Sequence, residues 1–408
     1  MLRVKSVDET KNIIKENFSK YHLETEKIKL EEAVGRIIAA DVLAPDDIPT
    51  FHRSTVDGYA VKSSDTFGSS ETLPSQLKLV GEIKMGEKLE ILPKEGETLY
   101  IPTGGELPEN TDAVVMIEYS EDLNDGYIYI HKASAPGNNV VYIGDDAKKG
   151  AVIIEKDSVL RPQDIGVLAA MGFSQISVKR KLQIGIISTG DEIIDIDEEP
   201  YGSQVRDVNA YAIYGDLIRP SCKPVRYGIV KDTTVEIKNK VQTALKECDI
   251  LLISGGSSVG IKDETFNVIH SLGSPGVILH GIAVKPGKPT IIGKISEKAI
   301  VGLPGHPVSA FVIHHIFVNH LINTMLGIPL KITASIAGTM AVNYPSNNGR
   351  EEYLPVQFQN ESDKMMIYPV FGKSGLISTL SNSQGYIHIS RGNEGLNKGD
   401  IVEVFLWT

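Results

Sequence analysis

Cysteine is nearly absent from this chain: Cys222 and Cys248 are the only two in 408 residues, and neither has a metal-ligand spacing. That excludes a disulfide scaffold and a cysteine-based zinc module, and leaves reduced, buried thiols as the expectation. Positive charge is also scarce. Lys and Arg number 41 against 52 Asp and Glu, a net charge of −11. No general basic field exists to hold nucleic acid, and an anionic ligand must rely on a local basic pocket. Long apolar runs are missing as well. The nearest, VSAFVIHHIFVNHLI, is interrupted by His314, His315 and His320 and falls short of the ~20 residues a membrane span needs. Those histidines share no i,i+4 face, so packing is expected of them, not metal binding. There is no Walker loop and no Cys-x-x-Cys pair.

What is present is a multidomain pattern, since the chain exceeds the roughly 250–300 residues at which single cores stop growing. The segment MLRVKSVDETKNIIKENF reads as an amphipathic helix with Ser6 as N-cap and Glu9 in capping-box register. It contains no signal-peptide apolar stretch, and a cytoplasmic location is expected. Short apolar runs between Gly, Pro, Asn and Asp then indicate an all-β module over 45–146. RPQDIGVLAAMG gives a helix with Pro162 near its start and Gly172 at its end. From Leu182 strands and helices alternate: LQIGIIS, DVNAYAIYGDLI, VRYGIV, TTVEIKNKVQTALKE opened by a Thr233/Glu236 capping box, DILLIS, AIVGL, and a helix from Pro307 to about Met325 closed by Gly327. That order predicts a doubly wound, mostly parallel α/β sheet. The expected division is an N-terminal domain over 1–44 plus 147–178, an inserted β domain over 45–146, an α/β domain over 179–328, and a C-terminal β-barrel domain over 329–408.

In open α/β sheets ligands bind beyond the carboxyl ends of the strands. Four loops fall there: Ser188-Thr189-Gly190-Asp191-Glu192; Lys231-Asp232; Gly255-Gly256-Ser257-Ser258-Val259-Gly260 with Asp263 beyond; and Pro304-Gly305-His306-Pro307. Glycines let backbone N–H groups approach an anion. The carboxylates Glu192, Asp232 and Asp263 would repel it unless a divalent cation such as Mg²⁺ lies between; helix capping is their other reading. Cations are offered by Val284-Lys285-Pro286-Gly287-Lys288-Pro289, stiffened by its prolines, and by Arg350. Asp57 in STVDGYA (54–60) has two readings, the tip of an Asp-Gly hairpin or a carboxylate that binds something.

Taken together, STVDGYA, IPTGGELPENTDAVVM (101–116), STGDE (188–192), SGGSSVG with Asp263, KPGKP (285–289), GLPGHPVSA (302–310) and GREEYLPV (349–356) resemble the molybdopterin molybdenumtransferase family, which includes the C-terminal domain of gephyrin. The resemblance implies an elongated homodimer that inserts molybdate or tungstate into adenylylated molybdopterin, with divalent-metal-dependent release of AMP. It implies a molybdopterin adenylyltransferase as a partner. By motif it carries Asp57, Glu192, Asp232, Asp263 and Lys285 over as catalytic residues. Thr103, Gly190, Gly255, Gly256, Lys288, Pro304, Gly305, Arg350 and Ser374 are carried over as substrate-binding residues, and Asp57, Asp146, Glu192 and Asp263 as metal-binding ones. Departures are Val141-Tyr142-Ile143 where arginines are common, Gly281 where many members carry a basic residue, and His306 in place of an Asn. Alternatives are a non-catalytic molybdopterin-binding scaffold and a related pterin or nucleotide pyrophosphatase.

Overall fold

Ser6 starts the first helix, α1 (Val7–Phe18), by accepting from Glu9 N at 3.1 Å, while the Glu9 carboxylate accepts from Ser6 N at 2.8 Å. This reciprocal cap satisfies two otherwise orphaned donors. The computed structural model describes residues 4–87, 91–255, 264–328, 334–346, 349–361 and 363–407. They form two compact units, one of Ala40–Lys156 with Gly166–Phe173, the other of Met1–Ala39, Asp157–Ile165 and Ser174–Thr408.

The first unit is built on six strands: β1 (Gly58–Val61), β2 (Ser75–Glu82), β3 (Glu97–Ile101), β4 (Ala113–Met116), β5 (Ser120–Asp122) and β6 (Tyr127–Ile130), in the order β4-β1-β3-β2-β6-β5. Period-two alternation serves a core on each face. Tyr59 and Val61 pack with Leu77 and Ile128, whereas Ala60 packs with Leu99 and Ile101. The hairpin reading of Asp57-Gly58 is wrong. Arg53–Ser54 pairs with Val140–Val141, while Gly58 enters β1 between β3 and β4. Gly58 is needed for a close backbone approach, since a Cβ there would lie 2.0 Å from the Val115 carbonyl oxygen. Helix α2 (Pro162–Ala170) ends at Gly172, whose φ of +81° is left-handed.

The second unit carries the α/β sheet: β7 (Leu182–Thr189), β8 (Cys222–Val230), β9 (Ile250–Ser254), β10 (Pro275–His280), β11 (Ile291–Ile295) and β12 (Lys298–Leu303), ordered β8-β7-β9-β12-β11-β10. The first four are parallel; β11 and β10 extend the sheet antiparallel and are absent from the order expected from sequence. Helices α3 (Asn209–Asp216) and α6 (Pro307–Ile313), with α1, cover the face bearing Ile184, Ile186, Leu252 and Val301. Helices α4 (Thr234–Glu247) and α5 (Glu264–Ser271) cover the face bearing Ile187, Leu251, Ile253 and Ile300. The sheet is therefore doubly wound, with a core on both sides. Beyond α6 the chain passes through a π-helical turn (His314–Val318) into α7 (Asn319–Leu326), closed by left-handed Gly327.

The last region closes five strands into a barrel. β13 (Ser335–Met340), β14 (Glu351–Glu361), β15 (Lys364–Pro369), β16 (Gly385–Ile389) and β17 (Ile401–Leu406) connect as β14-β15-β13-β17-β16 and back to β14. Met340, Val356, Ile367 and Val404 fill it. Val284–Lys285 adds as a short parallel strand at the start of β14, Lys285 opposite Glu352.

Candidate active site

At the carboxyl ends of β7, β9 and β12 lies a cavity of about 1090 Å³. Its walls are mainly apolar, with Ile193, Val205, Pro289, Pro304, Leu376 and Ile377 among them, and Glu192 stands exposed at its edge. The floor is set by a buried polar network. Ser188 Oγ donates to Asp207 Oδ2 at 2.5 Å, Ala210 N donates to Asp207 Oδ1 at 3.0 Å, and Asn209 Nδ2 donates to Ser254 Oγ and to the Gly305 carbonyl, each at 2.8 Å. Gly255 runs so close to β7 that a Cβ would fall 2.0 Å from the Thr189 carbonyl oxygen, and its φ is +102°. Only glycine fits that approach.

The acid rim follows from the same strand ends. Thr189 Oγ1 donates to Asp232 Oδ1 at 3.1 Å, and Asp232 N donates to Asp191 Oδ1 at 3.3 Å, which ties the β7 and β8 loops together. Capping does not account for Asp232. Thr233 is the N-cap of α4, accepting from Glu236 N at 3.4 Å. The reciprocal half of the expected capping box is displaced, because Glu236 Oε2 accepts from Lys231 N instead. Glu192 and Asp232 are both exposed hard-oxygen donors, one on the β7 loop and one on the β8 loop bonded to it. Such a pair suits a hard divalent ion that completes its shell with water and phosphate oxygens, not an all-protein cage. Among the described residues no three His, Cys, Asp or Glu side chains converge as a metal-holding group.

The expected cations are differently placed. Lys285 Nζ lies 2.7 Å from Glu352 Oε1, whose carboxylate also accepts from Tyr344 Oη at 2.8 Å and Ser346 Oγ at 2.5 Å. Glu352 is only 5 % exposed and Lys285 42 %, so a buried acid anchors an ammonium that still reaches solvent. Burial, with the nearby Glu352 charge, pushes the Tyr344 hydroxyl pKa up. Lys288 is half-buried and its carbonyl accepts from Ile282 N at 3.0 Å; Arg350 is exposed. On the barrel side Ser374 Oγ lies 2.8 Å from His306 Nδ1, joining the Pro304–Pro307 loop to the segment 371–377.

Family models match nearly end to end. Residues 5–172 match the "MoeA N-terminal region (domain I and II)", 185–324 the "Probable molybdopterin binding domain", and 337–407 the "MoeA C-terminal region (domain IV)". A molybdopterin molybdenumtransferase of Haemophilus influenzae is 31 % identical over 384 residues, covering 93 % of each chain. One of Bacillus subtilis is 28 % identical over 387 residues, covering 94 % of this chain and 90 % of that one. The crystal structure of a molybdopterin biosynthesis MoeA protein from Pyrococcus horikoshii has a TM-score of 0.85 at 30 % identity, covering 99 % of this chain and 100 % of that chain. The chain belongs to the molybdopterin molybdenumtransferase (MoeA) family.

In this MoeA-family chain the second unit brings Glu192, Gly255, Pro304 and Gly305 to the cavity, with Asp232 bonded to the adjoining Thr189. Gly190 precedes Glu192 on the same loop. Lys285 and Lys288 flank the Pro286-Gly287 pair of the loop whose Pro289 lines the cavity. Gly256 and Asp263 lie outside the described residues. Asp57, Thr103 and Asp146 belong to the first unit. There Asp57 Oδ1 accepts from Thr103 N at 2.7 Å and from Thr103 Oγ1 at 3.1 Å, so the two expected site residues hold one another at an exposed loop; Asp146 is exposed too. In the Val141-Tyr142-Ile143 segment, Tyr142 packs edge-on against His52, ring centroids 5.2 Å apart. Reading the sequence missed Asp207, Asn209 and Glu352. Asp207 and Asn209 sit in the quoted segment DVN and Glu352 in GREEYLPV, and only tertiary pairing reveals what they bond.

One further expectation holds. Cys222 and Cys248 are buried and free. Among the described residues no helix is long and apolar enough to cross a membrane.

Proposed function

We propose that this chain inserts molybdate, or tungstate, into adenylylated molybdopterin and releases AMP in a divalent-cation-dependent hydrolysis, working as a cytoplasmic homodimer supplied by a molybdopterin adenylyltransferase. The observation that carries the reading is an apolar cavity, large enough for a flat heterocycle, with Glu192 at its edge and Asp232 bonded to the adjoining Thr189. The cavity takes the pterin. Gly190, Gly255 and Gly305 let backbone approach the ligand closely, and Lys285, Lys288 and Arg350 offer charge to its phosphate and to the incoming oxyanion. Ser374, bonded to His306, closes the barrel side.

Glu192 and Asp232, with Asp263 by family resemblance, would hold a Mg²⁺ or similar ion beside the phosphoanhydride. When bound, such an ion offsets the charge that builds on phosphate oxygens. In this proposal Asp57, Thr103 and Asp146 complete the cleft of the partner subunit. The test is AMP release by the full chain given adenylylated molybdopterin and molybdate, with Mg²⁺ or with a chelator. Release that needs the cation is expected. Ligand binding with no release under either condition would favour the scaffold reading and overturn this one.

A further inference from the structure

The cavity holds two polar side chains that the roles above leave unused. Asn209, at the start of α3, and Ser309, in α6, both line it, and they are 8 % and 5 % exposed. A carbonyl oxygen can only accept, so the bond to Gly305 O fixes which end of the Asn209 amide is nitrogen. The second amide hydrogen goes to Ser254 Oγ. What Asn209 has left is Oδ1, a pure acceptor. Among the described residues neither Asn209 Oδ1 nor Ser309 Oγ bonds another protein group, and neither is among the polar atoms sealed from solvent. Both atoms therefore open onto the cavity, and a ligand that displaces water there must pair with them or leave each unsatisfied at about 1–3 kcal/mol.

Their chemistry selects the ligand. An acceptor-only oxygen would repel a phosphate or an oxyanion, so this end of the cavity is not where the anion sits. The surrounding Pro, Ile, Val and Leu side chains suit the faces of a flat ring. The edge of that ring must offer an N–H to Asn209 and a group the Ser309 hydroxyl can pair with. A pterin's pyrimidine edge does so, with a lactam N–H and an amino group beside a carbonyl oxygen. Adenine could offer one amino N–H and a ring acceptor, but lacks the two adjacent N–H donors that the pterin edge presents to the Asn209 oxygen.

We propose that Asn209 and Ser309 form the subsite that reads the pyrimidine edge of the pterin, Asn209 accepting from its N–H groups and Ser309 bonding alongside. This rests on the function proposed above. The test is the affinity of the full chain for molybdopterin and, separately, for AMP, in the wild type, Ser309→Ala and Ser309→Thr. Among the described residues Ser309 has no hydrogen-bond partner to lose, so Ser309→Ala should keep the wild-type unfolding midpoint. It should bind molybdopterin about tenfold more weakly, with AMP affinity unchanged and Ser309→Thr restoring the loss. Equal molybdopterin affinity in wild type and Ser309→Ala would overturn the subsite. So would a loss confined to AMP, which would give the cavity to adenine. Failure of the wild type to bind molybdopterin at all would instead sink the functional reading itself.

Discussion

At the residue scale, charged side chains here act through the partners that fix them. Asp57 is held through one carboxylate oxygen by Thr103. An amide oxygen can accept the same two bonds, so Asp57→Asn should leave stability within about 0.5 kcal/mol of wild type. AMP release should nevertheless fall at least tenfold, about 1.4 kcal/mol, because the anion is lost; unfolding and turnover measured side by side separate the two effects. Glu352 works the other way. Glu352→Ala strips Lys285, Tyr344 and Ser346 of their shared acceptor. Because Lys285 can turn to solvent, the expected cost by chemical denaturation is about 1–3 kcal/mol, below that of a fully buried pair. Glu192 and Asp232 were legible as acids just beyond strand ends, and Lys285 as a cation in a proline-pinned loop. Their partners were not, since Glu352 lies far along the chain from Lys285 and meets it only through strand register.

At the element scale, the strand-helix alternation after Leu182 was readable because each strand is a short apolar run and each helix has a start or stop signal. The antiparallel pair β10 and β11 was hidden, since its two apolar runs straddle the Lys285–Pro289 loop, which reads as a binding loop. The supposed hairpin at Asp57 failed for a related reason. An Asp-Gly pair signals a turn locally, but Gly58 answers to the Val115 backbone across the sheet. The π-helical turn after α6 was likewise invisible in the histidine-interrupted run. It sets His315 among Phe311, Tyr386 and Trp407. Burial lowers the His315 pKa from 6.5 to about 4, despite the opposing charge of Asp216. The native ring is therefore neutral, and its contribution to stability is full above pH 6.5 and is lost as pH falls toward 4. His315→Phe should flatten the fall in unfolding free energy across that window, as measured by urea titration at several pH values. An unchanged slope would refute the assignment.

At the scale of the whole molecule, the family order of domains was legible because many weak motifs recur in one sequence order, whereas the subunit arrangement is a proposal. If the partner subunit supplies Asp57, then two inactive chains can repair one another. Mixing and reassociating Asp57→Asn with Asp232→Asn subunits should recover about one quarter of the wild-type sites, from the half of dimers that are hybrid with one intact cleft each. Activity that never rises above the parent variants would place both acids in a single-chain site. The most direct measurement of the central claim is a single turnover with adenylylated molybdopterin already bound. Addition of molybdate with Mg²⁺ should release AMP in step with molybdenum incorporation, and Asp232→Asn should bind the ligand yet release none. AMP release independent of molybdate, with no metal incorporated, would make this chain a pyrophosphatase and contradict the account.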